Sequence, residues 1–103
     1  MPISGGTHMK CKHIHYSRHA FERMFERAIP PDVVERVIAQ GEIIADYPDE
    51  QPYPSFLILG YDQTNPIHVV LAHNATTGEC HIITVYLPDS KIWDATFKRR
   101  RTS

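Results

Sequence analysis

The feature that most constrains this chain is a change of hydrophobic period at Gly41. Before it, apolar residues recur every three or four positions. After it, they alternate every two. Helices and strands bury different spacings, so the chain has to change its secondary structure there. Upstream, Ala20, Phe21, Met24, Phe25 and Ala28 form an apolar stripe that predicts an amphipathic helix over 18–28, with Ser17 as its N-cap. Pro30 and Pro31 stop it. Asp32 then stands in the first turn of a second helix, where its charge suits the positive end. Val33, Val34, Val37 and Ile38 give that helix a buried face, and Gly41 closes it as the residue just past its end.

Downstream, the period of two predicts strands over 42–47, 55–61, 67–74 and 80–87. The continuous apolar run in 55–61 suits a central strand. PDEQPYP (48–54) and DQTNP (62–66) read as turns, and Thr77-Gly78 marks a hairpin between the last two strands. His13 to Ser17 reads either as a short strand or as an extended lead-in. A short helix carrying Ile92, Trp93 and Phe97 is expected after Pro88. The simplest packing is an α+β domain: two N-terminal helices on one face of a four-stranded antiparallel sheet, with a short C-terminal helix. The domain is expected over 13–98, between an extension at 1–12, whose first eight residues are small and polar, and a basic tail at 99–103.

Composition limits the function classes. The 103 residues suit one domain with one core, and 42% hydrophobic with 22% charged residues is ordinary for a globular protein. A net charge of −1 with seven neutral histidines excludes strong global attraction to nucleic acid, though not a local basic patch. Histidine protonation would turn the chain cationic below roughly pH 6.5. No apolar stretch approaches the ~18 residues of a membrane span, so no membrane partner and a cytoplasmic location are expected. Cys11 and Cys80 form no CxxC pair, and Cys80, lying in an apolar-polar alternation, reads as a buried free thiol.

The segment HAFERMFER carries the clearest polar pattern. His19, Arg23 and Arg27 are four apart and stack along one side of the helix. Two readings apply: a solvated face whose arginines pair with Glu22 and Glu26, or a histidine beside two guanidiniums that hold a phosphodiester. Thr84 and Tyr86 near the end of the last strand offer hydroxyls to a substrate. Trp93 either stacks on a base or closes the core. His68, on a strand face with Val70, Ala72 and Asn74, joins Thr84 and Trp93 as a substrate-binding candidate. His13 and His15 share a strand face, and His73 and His81 flank the hairpin. No zinc spacing such as HExxH is present, so no metal is expected.

The stretches HYSRHAFERMFERAIPPDVVERVIAQGEII, IHVVLA and IITVYLPDSKIWDATF together resemble the bacterial and archaeal family known as domain of unknown function 4258. That family looks related to the barnase, EndoU, colicin and RelE-like group of metal-independent ribonucleases, many of them toxins of toxin–antitoxin pairs. The resemblance marks His19, Arg23, Arg27, Thr84, Tyr86 and Trp93. It implies an RNA substrate, a cognate antitoxin as partner and no cofactor. In that reading an internal 2′-hydroxyl attacks the adjacent phosphorus. His19 is the general acid or base, Arg23 and Arg27 clamp the phosphate, and Tyr86 orients the leaving group. The alternative is a non-catalytic protein- or RNA-binding module.

Overall fold

The computed structural model describes residues 9–102. Its elements run β1 (His13–Tyr16), α1 (Arg18–Glu26), α2 (Pro31–Gln40), β2 (Glu42–Tyr47), β3 (Ser55–Asp62), β4 (Asn65–Asn74) and β5 (Glu79–Tyr86). The α+β class stands, but the sheet is five-stranded and mixed, in the order β1-β5-β4-β3-β2. This corrects the expected four-stranded antiparallel sheet. The added strand, β1, pairs parallel to β5 with His13 opposite Glu79 and His15 opposite His81. The remaining pairs are antiparallel.

Local chemistry sets the helix ends. The Ser17 hydroxyl accepts from the Ala20 N–H at 3.0 Å and starts α1. Ala28, with φ of 55°, takes the chain out of the helical region just after it. Pro31 begins α2, where its missing N–H costs no helical bond. Gly41 does cap α2, but in an extended conformation with φ of −77°. Its small size matters for space: a Cβ there would collide with the carbonyl oxygens of Val37 and Leu59. Gly78, with φ of 81°, is the left-handed residue of the β4–β5 hairpin.

Both helices cover one face of the sheet. Ala20, Met24, Val34, Val37 and Ile38 pack there against Ile58, Val69, Leu71, Cys80, Ile82 and Val85. Emptying a fully buried position such as Ile58 by substitution with alanine would cost about 2–5 kcal/mol. A bulge in β5 decides which residues face this core. Val70 pairs with Thr84 while Leu71 pairs with Ile82, so Ile83 is an extra residue. One extra residue reverses the alternation beyond it. Cys80, Ile82 and Val85 therefore point inward, while His81, Thr84 and Tyr86 share the outer face.

The C-terminal segment covers part of that outer face without forming the expected helix. The Asp94 carboxylate captures the Thr96 N–H at 3.0 Å and its hydroxyl at 2.6 Å. Phe97 then adopts φ of 61°. A side chain that binds the backbone two residues on competes with helical hydrogen bonding. Trp93 instead forms an isolated antiparallel bridge with Arg100, and Arg101 Nε donates to the Ser90 carbonyl at 2.8 Å.

The free-thiol expectation is also corrected: Cys11 and Cys80 form a disulfide with Cα atoms 5.6 Å apart. Parallel pairing of β1 with β5 brings the two cysteines within reach although 69 positions separate them. Met9 is buried in the main core. Of the expected extension at 1–12, residues 1–8 lie outside the described residues. No described helix is long and apolar enough to cross a membrane.

Candidate functional site

The residues singled out from sequence fall into two groups. His68, Tyr86 and Trp93 converge on the outer face. His68 lies opposite Tyr86 in the β4–β5 ladder and is fully buried. Its Nε2 is 2.8 Å from the Phe97 carbonyl oxygen and its Nδ1 is 3.1 Å from the Tyr86 hydroxyl. A carbonyl only accepts, so Nε2 carries the proton and Nδ1 accepts from Tyr86. The Trp93 ring meets His68 edge-on, with centroids 4.5 Å apart, and Arg100 lies over Trp93 at 5.5 Å. Burial lowers the His68 pKa against the opposing effect of the Phe97 hydrogen bond, favouring neutral imidazole. Burial also raises the Tyr86 pKa, although Arg100 pulls the other way. This group is a satisfied anchor that fastens the C-terminal segment to the sheet. Thr84, half-buried, stands two residues before Tyr86 on the same face.

His19 and Arg23 lie instead on the exposed side of α1, and Arg27 is exposed at its C-cap. Arg23 Nη1 is 3.2 Å from Glu26 Oε1, a solvent-exposed pair. His19 does not meet Tyr86 or Trp93. It lines an open depression of about 470 Å³ with Ser17, His15, His81 and Ile83. Two of these residues, His15 and His81, are not among the site candidates that the sequence marks. They are cross-strand partners in the parallel β1–β5 pair, with stacked rings 4.9 Å apart and 17° from parallel. Glu79 faces both, with Oε1 3.9 Å from His15 Nε2 and 4.0 Å from His81 Nε2. Tyr53, from the β2–β3 loop, extends the stack with its ring 5.8 Å from His81 and 10° from parallel. His73, the other histidine flanking the hairpin, turns the opposite way and meets Phe56 edge-on.

The sequence signals for this grouping are the shared face of His13 and His15 and the place of His81 beside the hairpin. They point to a strand face but do not name the strand across from it. Among the described residues, no group of three or more His, Cys, Asp or Glu side chains is arranged to hold a metal ion. What the arrangement offers is proton transfer. It has imidazoles from three elements around one solvent-open depression, with the Glu79 carboxylate beside two of them.

Comparisons with known proteins add the family. No curated protein and no solved structure matches the chain. The family model described as "Domain of unknown function (DUF4258)" matches residues 16–87, a span from the end of β1 to just past β5 that includes His19, His68, His81 and Tyr86. The chain therefore belongs to the DUF4258 family.

Proposed function

We propose that this protein is a metal-independent endoribonuclease whose acid–base groups are His19 and His81, with His15 and Glu79 supporting His81. The observation that carries the reading is the shared depression: His19 from α1, His15 from β1 and His81 from β5 line it together. One imidazole takes the proton from a ribose 2′-hydroxyl as its oxygen bonds to the adjacent phosphorus. The other donates a proton to the departing 5′-oxygen as the P–O5′ bond breaks. The products are a 2′,3′-cyclic phosphate and a free 5′-hydroxyl, so protons and bonds balance without a cofactor. Arg23, one helical turn from His19, brings a guanidinium toward the phosphate, and Arg27 extends the positive stripe. The kinship that the sequence resemblance implies between the family and the barnase and RelE-like nucleases would bring the same chemistry, with RNA as substrate and an antitoxin as partner. Cleavage of single-stranded RNA in EDTA tests it. His19→Ala and His81→Ala should each lower kcat by roughly 100-fold or more. Wild-type rates in both variants would remove these residues from the mechanism.

A second reading, a protein-binding module without turnover, is favoured by one observation. Phe25 on α1 is 89% exposed and borders an apolar groove with Phe21, Met24, Ile29, Pro30 and Pro31. Large apolar side chains left in water commonly mark a docking surface. Native mass measurement of the chain mixed with the product of an adjoining gene tests this reading. A complex lost in Phe25→Ser would support it, and its persistence in that variant would exclude this face.

A further inference from the structure

On the other side of the His81–Ile83 ridge lies a second, mainly apolar depression of about 330 Å³, walled by Tyr53, Pro52, Ala72, His81 and Ile83. We infer that this depression is a nucleobase subsite that seats one base of a single-stranded RNA beside the histidine group. The inference deepens the ribonuclease reading and rests on it for the identity of the polymer.

Three features support it. The first is shape and chemistry. A nucleobase has two apolar faces, and the depression has matching aromatic and aliphatic walls, with Glu50 and Gln51 also among its lining residues. The second is pre-organisation. Tyr53 sits between Pro52 and Pro54, and the loop is tied to β4 by the His73 N–H donating to the Pro54 carbonyl at 3.0 Å. Its ring is already parallel to His81. A base stacking there would meet a surface with little freedom left to lose. The third is connection. His81 and Ile83 line both this depression and the one holding His19 and His15. A strand crossing that shared ridge can leave its base against Tyr53 and present its phosphodiester to the histidines. Stacking on aromatic side chains tolerates any base, so the subsite fixes the strand's position more than its sequence.

The test is fluorescence anisotropy with a labelled 2′-O-methyl RNA octamer, which binds but lacks the 2′-hydroxyl needed for cleavage. Unmodified RNA is assayed for cleavage alongside it. Tyr53→Leu, which keeps apolar volume but removes the ring, should weaken octamer binding by roughly 5- to 100-fold. Tyr53→Phe should bind like wild type, and this retained binding separates loss of the ring from damage to the fold. Equal binding by Tyr53→Leu and wild type would overturn the subsite while leaving cleavage by the histidines standing. Tyr53-dependent binding with no cleavage of unmodified RNA would uphold the subsite and overturn the ribonuclease reading. No binding by wild type would overturn the subsite outright.

Discussion

The imidazole of His68 donates from Nε2 to the carbonyl oxygen of Phe97 at 2.8 Å, joining the middle of the sheet to the C-terminal segment. Burial holds its pKa below the ordinary 6.5, so the unfolded chain binds the proton more readily than the folded one. The stability carried by neutral His68 is therefore fully present above about pH 6.5 and is lost as pH falls from there through the lowered folded value. Thermal melts between pH 7.5 and 5 should show a falling Tm in wild type and a shallower fall in His68→Gln. Parallel curves for the two proteins would contradict this linkage.

Reducing the Cys11–Cys80 disulfide should destabilise the fold substantially. The bond closes a span of 69 positions, for which chain entropy alone predicts about 4 kcal/mol. Denaturant unfolding with and without a dithiol reductant measures this directly. A midpoint unmoved by reduction, with the thiols shown to be free, would contradict it.

Gly41→Ala should be destabilising although φ at this position suits any residue. The added Cβ would push against the Val37 and Leu59 carbonyls, where α2 passes into β2. The expected cost is about 1–3 kcal/mol, typical of overpacking. An unchanged urea midpoint would show that the backbone relaxes freely there.

By contrast, Glu26→Ala should change stability by less than about 1 kcal/mol, because its pair with Arg23 is solvent-exposed. If the ribonuclease reading is right, the same change should leave cleavage intact or raise it slightly by freeing Arg23. A tenfold loss of activity would place Glu26 in the site.

Much of this fold is legible in the sequence because its signals are local. Ser17, Pro30-Pro31 and Gly41 mark helix ends through caps and sterics confined to a few residues. Val33, Val34, Val37 and Ile38 announce the buried face of α2, and all four are buried. The errors arise where distant partners decide. β1 is only four residues long, and its hydrogen-bonding partner lies at the far end of the domain. The sequence offers His13 to Ser17 as a possible strand, but without that pairing neither its place in the sheet nor the disulfide can be inferred. The bulge at Ile83 inverts the alternation of β5, so Tyr86 faces away from Cys80 and Ile82, contrary to a strict period of two. The apolar stripe of α1 is narrower than the sequence suggests, since Ala20 and Met24 are buried while Phe25 lies almost fully in water.

The candidate site divides along the same line. The sequence marks both His68 and Tyr86, and the strand ladder joins them. It marks Trp93 too, and the irregular C-terminal segment brings it onto His68. The neighbours of His19 were not legible, because His15 and His81 come together only through the parallel β1–β5 register.

The most direct test of the central claim is product analysis after incubating a defined single-stranded RNA with wild-type protein in EDTA. The expected fragments end in 2′,3′-cyclic phosphate and begin with 5′-hydroxyl, which report attack by the neighbouring 2′-oxygen. Fragments carrying 5′-phosphate, or intact RNA with protein verified as folded and oxidised, would contradict it.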